Sequence, residues 1–374
     1  MRVYERLGVR PVINARGMNT MASGSLMPRP VLEAMAEAAT AFVDMAELNA
    51  RAGERIASLI GVQAAHVTSG SAGGLLLAAA ACMAGTDQQR IRQLPDTAGM
   101  KNEIVIQRCQ RIQYDQALRT AGARLLAVGT DEACTPRDVE GAIGDRTAAL
   151  IFIVSPRLGE QGVPVDRIAE IARAHELPLI VDAASTLPPA AHLTRWTDQG
   201  ADLVIYSGGK GIRGPQGSGL LLGRADLIRA AAANGSPNAS LGRPCKVSKE
   251  DIVGLVTALE LFLREDHQAE WERHLHEARQ IVEAVAGLPG ISARIEDDQS
   301  VWTAPTVLIG IDERETGLTA NGVMDVLRHG EPPIMVRVFR GGALLVDPHC
   351  LRGDEVSVVA RRLGEELARV PVTP

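Results

Sequence analysis

A chain of 374 residues, 46% apolar and 22% charged, holds enough material for one large soluble domain and a smaller one. Its net charge of −6 gives no general attraction to a phosphate backbone, and aromatics at 3% leave few rings to stack on bases, so nucleic acid is not an expected partner. The longest apolar run, Gly73 to Gly85, is too short to span a bilayer, and the opening MRVYERLGVRP lacks the apolar core of a signal peptide, so a cytoplasmic protein with no membrane partner is expected.

In chain order, short β-branched runs alternate with amphipathic stretches. HVTSGSAGGLLLAAAACMAG reads as a strand end, a Ser/Gly turn and a helix. EIVIQ is a strand, YDQALRTAG a helix stopped by glycine, RLLAVG a strand, and TPRDVEGAI a helix entered through Thr135 and Pro136. TAALIFIV, VDRIAEIARAHE and LPLIVDAAS repeat strand, helix, strand, and ADLVIYS and GSGLLLG add two further strands. Near-continuous apolar strands separated by helices predict an α/β fold with a mainly parallel sheet covered on both faces. After Arg229 the texture changes. NGSPNASLGRPC is a linker, 246–288 reads as a long helical region, and PTVLIGI, PIMVRVF and GALLVDP precede a last helix in GDEVSVVARRLGEELARV. The five cysteines (Cys82, Cys109, Cys134, Cys245 and Cys350) have no metal-ligand spacing, so neither a metal site nor a disulfide framework is expected.

In an open parallel sheet, ligands sit beyond the carboxyl ends of the strands. Three such ends carry chemistry. In TSGSAGG, Ser69, Gly70 and Ser71 join a strand to a helix N-terminus, which suits a phosphate but also reads as a structural cap. Asp182 ends a buried strand, either as a carboxylate with a charged partner or as a helix cap. Lys210 follows a strand in SGGKGIRGPQGSG, and it is one of only four lysines among 39 basic residues. An amine in such a turn serves either as a phosphate-binding cation or as an imine-forming nucleophile, which a guanidinium does not replace. A nucleotide-binding module is the alternative class, but no GxxxxGK[ST] or GxGxxG lies between a strand and a helix.

An aspartate followed 28 residues later by a Ser-x-x-Lys, downstream of a Ser/Gly turn, resembles the pyridoxal-phosphate enzymes of fold type I, the aspartate-aminotransferase superfamily. The resemblance implies pyridoxal 5'-phosphate as cofactor. Lys210 would hold it as a Schiff base, Asp182 would pair with the ring nitrogen, Ser69, Gly70, Ser71 and Ser207 would hold the phosphate, and Gln110 would lie against the ring. The glycines around Lys210 would let the backbone approach the cofactor. Whole phrases narrow this further: YERLGVRPVINARG, AELNARAGERIASLIG, LPDTAGMKNEIVIQR, GADLVIYSGGKGIRGPQGSGLLLG and GRPCKVSKEDIVGL are similar to the bacterial family of the selenium transferase of selenocysteine synthesis and the D-glucosaminate-6-phosphate ammonia-lyases.

That resemblance implies a segment 1–45 packing on a small domain and the active site, a large cofactor domain 46–245, and a small α+β domain 246–374. It also implies a homodimer or larger assembly. The selenium transferases carry an additional N-terminal tRNA domain, whereas this chain reaches RPVINARG within its first 17 residues, so tRNA selenation is the less expected branch. The expected substrate is a small polar or anionic amino acid. The expected reaction is β-elimination through a Cα carbanion, as in an ammonia-lyase, with racemisation or transamination as alternatives. Two positions depart from the family pattern: Gln110 stands where a histidine is usual, and Arg16 where a small residue is usual. Arg16, Arg243 and Arg337 are the candidates for a substrate carboxylate or phosphate, with a surface role as the alternative for Arg16. The eight histidines show no ligand spacing; His267, His274 and His276 are expected in solvent, as are Lys246 and Lys249.

Overall fold

The computed structural model describes residues 2–154 and 162–369. Its contacts group the chain into two units, residues 26–265 and residues 1–25 with 266–374. In the larger unit, helices α1 (Arg29–Ala38) and α2 (Met45–Ile60) precede β1 (Ala64–Thr68) and α3 (Gly70–Ala84). Strands β2 (Glu103–Gln107), β3 (Arg124–Val128) and β4 (Thr147–Ile153) follow, then α4 (Val165–Ala174), β5 (Leu179–Asp182), β6 (Leu203–Ser207), β7 (Gly219–Gly223), α5 (Ala225–Asn234) and α6 (Lys249–Phe262).

The seven strands form one sheet in the order β1-β7-β6-β5-β4-β2-β3, and only β7 runs against the rest. The apolar runs are continuous because each face is buried. Val105, Leu150, Val181, Val204 and Tyr206 point into a core shared with α2, α4 and α6. Their neighbours Ile104, Ile151, Ile180, Leu203 and Ile205 point into a second core with α3 and α5. Helix α3 is apolar almost all round because it lies inside that second core.

The boundaries expected at 45/46 and 245/246 both fall inside the larger unit. Helix α6 packs on α1 and α2, and Lys249 Nζ donates to the carbonyl of Ala38 at 2.5 Å, so α1 and α6 belong with the sheet they cover. Lys249 is thereby partly buried, a correction to its expected place in solvent.

The smaller unit contains α7 (His267–Val285), β8 (Ile291–Glu296), β9 (Thr306–Ile311), α8 (Ala320–His329), β10 (Arg337–Val338), β11 (Leu344–Val346) and α9 (Glu355–Leu367). Its antiparallel sheet has the order β10-β11-β9-β8, and the two-residue strand Ile13–Asn14 pairs with Ile334–Met335. The long helical region read over 246–288 is two helices. Asp266 starts the second by accepting from the N–H groups of Gln268 and Ala269.

Candidate active site

The register of the large sheet collects the expected residues along one edge. Thr68 of β1 and Ser207 of β6 flank Gly219 at the start of β7, so the Ser69–Ser71 turn and the lysine loop leave the sheet side by side. On the other side of β6, Ile205 pairs with Asp182, and Asp182 pairs with Ile153 at the end of β4. Buried Gln110 reaches the same edge, its Oε1 accepting from the N–H of Ile153 at 3.0 Å. Its side-chain carbonyl is thus engaged with the backbone, which fixes the amide in place.

Asp182 is 5% exposed, and its Oδ1 accepts from the N–H of Ala184 at 3.1 Å. Burial raises this carboxyl above its ordinary range, against the hydrogen bond from Ala184 and the charge of Lys210. Burial lowers the Lys210 amine, and Asp182 acts against that shift. The two groups therefore sense each other's charge at the strand ends. Lys210 Nζ also donates to Ser185 Oγ at 2.6 Å. Ser185 escapes a reading of the sequence because a serine in VDAAST looks like an ordinary turn residue.

Two of the glycines around Lys210 also answer to the protein's own packing. A Cβ on Gly209 would lie 2.5 Å from Gln216 Cα, and one on Gly211 would lie 2.3 Å from the carbonyl oxygen of Leu187. The loop needs glycine because the protein's own backbone passes that close. At the other end of the edge, α3 starts through Gly70 at φ +66°, and Ser69 makes no side-chain cap to it.

The arginines divide. Arg243 is exposed in the larger unit, beside Ile91, Leu94, Pro95 and Leu241. Arg16 and Arg337 lie in the smaller unit with Asp347. The backbones of Arg16 and Asp347 bridge, and Arg16 Nε is buried without a hydrogen-bond partner. Burial raises the Asp347 carboxyl, while the N–H of His349 and the charges of Arg337 and His274 oppose the shift. His274 is buried, a correction to its expected place in solvent; its Nδ1 lies 3.1 Å from Glu277 Oε2 and its ring 5.1 Å from that of His349. This cluster is missing from the sequence reading because His274 lies far along the chain from Asp347 and His349.

Residues 47–286 match the L-seryl-tRNA selenium transferase (SelA) family. The chain belongs to that family. It is 36% identical to a 5'-C-glycyluridine monooxygenase-decarboxylase of Streptomyces sp, over 97% of this chain and 92% of that protein. It is 33% identical to a D-glucosaminate-6-phosphate ammonia lyase of Salmonella typhimurium, over 97% of each. A solved D-glucosaminate-6-phosphate ammonia-lyase structure superposes with a TM-score of 0.84 at 32% identity, covering 98% of both chains. The larger unit of this SelA-family chain is accordingly a fold type I architecture, and its cofactor is pyridoxal phosphate.

The residues present fit that group. A half-buried amine biased toward its neutral form, a buried carboxylate that senses it, and a helix N-terminus without a side-chain cap are the three features such a cofactor requires.

Proposed function

We propose that this chain is a pyridoxal-phosphate-dependent lyase, releasing ammonia from a small anionic amino acid that carries a hydroxyl at Cβ. The observation that carries the reading is the Lys210 amine just past the strand that neighbours buried Asp182, each acting on the other's charge, in a chain that aligns end to end with an ammonia lyase. Lys210 would hold the cofactor, and Ser69, Gly70, Ser71 and Ser207 would hold its phosphate with the N–H groups opening α3. Asp182 would keep positive charge on the ring nitrogen, and Gln110, held by the N–H of Ile153, would face the ring. When bound, the cofactor accepts the electron pair released at the substrate Cα. Lys210 takes the Cα proton, which needs the neutral amine that burial favours. The hydroxyl leaves Cβ as water with the proton that Lys210 took from Cα, and one water then hydrolyses the dehydrated amino acid to a 2-oxo acid and ammonia. Arg16, Arg243 and Arg337 are the three candidates for the substrate's acidic groups.

Gln110 and Arg16 depart from the family pattern, so the best substrate is an amino acid other than glucosaminate 6-phosphate. A panel of D- and L-β-hydroxy amino acids in deuterium oxide tests the reading. Cα exchange with release of ammonia and 2-oxo acid, without an added amino acceptor, is expected. Inversion without ammonia, or dependence on an added 2-oxo acid, would replace the lyase by a racemase or an aminotransferase. The similarity to a monooxygenase-decarboxylase favours one second reading, oxygen-dependent decarboxylation, which oxygen uptake and carbon dioxide release in the same panel would reveal.

The assembly is a homodimer or larger. Exposed apolar side chains support this: Val3, Tyr4, Leu7 and Val9 in the smaller unit, and Leu26, Leu32, Phe42 and Val43 in the larger. Five unpaired cysteines support a cytoplasmic location. Among the described residues no helix is long and apolar enough to cross a membrane.

A further inference from the structure

The segment that carries Ser185 is braced by its own hydrogen bonds. Ala184 N–H donates to Asp182 Oδ1, and the N–H and hydroxyl of Thr186 both donate to the carbonyl of Ala183, at 3.2 and 3.0 Å. His192 Nδ1 lies 2.8 Å from the carbonyl oxygen of Thr186. Leu187, two residues after Ser185, is buried, and its carbonyl lies so near Gly211 that the turn 183–187 and the lysine loop interlock. Two rigid loops thus set a serine hydroxyl 2.6 Å from the lysine amine.

The residue type matters. An ammonium only donates, whereas a neutral amine also accepts, and a hydroxyl serves both because it donates one bond and accepts two. A second carboxylate here would favour the charged form of the amine further, in the direction in which Asp182, at the end of β5, already acts on it. We propose that Ser185 is a positioning residue for Lys210, holding the amine in place in both protonation states whenever it is not bonded to the cofactor. It thereby keeps the base near the substrate between taking the Cα proton and passing it to the leaving hydroxyl. The inference rests on Lys210 being the cofactor lysine.

The chain has four lysines, so the reaction of each with an amine-selective reagent can be followed by peptide mass against pH. In cofactor-free protein the Lys210 midpoint in Ser185→Ala is expected to fall by about half to one pH unit, because the ammonium loses its stronger, charge-assisted bond. In the holoenzyme the same variant is expected to lose about 10-fold in kcat with KM within about twofold, the loss of one hydrogen bond to the working amine. Ser185→Thr should restore both readings, and Ser185→Val, of the same shape without the hydroxyl, should not. Ser185 is exposed, so the alanine variant is expected to fold. An unmoved midpoint in the alanine variant, or equal loss in the threonine and valine variants, would overturn the inference. If borohydride instead fixes the cofactor to another lysine, the functional reading fails and this inference falls with it, an outcome separable from an unmoved midpoint.

Discussion

Burial pushes Lys210 and Asp182 toward their neutral forms, while their mutual attraction favours the charged pair. Asp182→Asn removes the charge and keeps the shape. The variant is expected to retain covalently bound cofactor and to lose on the order of 100-fold in kcat, because an amide does not stabilise positive charge on the ring nitrogen. It also removes the influence that raises the Lys210 amine. The acid limb of the remaining activity should therefore move to lower pH, and a pH–rate profile checks this. Near wild-type turnover would make Asp182 a structural cap. Both residues were legible in the sequence because a rare lysine and a carboxylate at apolar strand ends are chemically conspicuous. Ser185 was not, since hydroxyls are common in turns and its contact with Lys210 depends on which strands are neighbours.

At the scale of elements, the sheet strands were readable because burial on both faces makes them short apolar runs, and β2 spans the residues of EIVIQ. Strand β8 was not readable, because ISARIE mixes charge into a half-exposed edge. The lysine loop is held by close backbone approach, so Gly211→Ala should lower stability by about 1–3 kcal/mol as the new Cβ meets the Leu187 carbonyl. A thermal or urea transition equal to wild type would show that the loop yields easily. In β1, buried His66 is lowered from 6.5 to about 4 by burial alone. Unfolding lets it take up a proton, so its stabilising effect is complete above pH 6.5 and is lost as pH falls toward 4, to the extent of about 3 kcal/mol. His66→Val should flatten that part of the stability profile in urea titrations across this range. An unchanged slope would contradict the assignment.

For the whole molecule, the division into two units followed tertiary packing that the linker composition did not reveal: α6 looks like the start of the second unit in sequence, yet it covers the large sheet. The exposed apolar residues near the N-terminus predict a dimer or larger species in sedimentation, and Phe42→Asp combined with Leu32→Asp is expected to shift it toward monomer. A wild-type monomer with full activity would contradict that assembly. The central claim is that one lysine carries the cofactor. Purified protein incubated with pyridoxal phosphate and reduced with borohydride should give a single pyridoxyl-labelled peptide containing Lys210. A label on Lys101, Lys246 or Lys249, or no label at all, would contradict it.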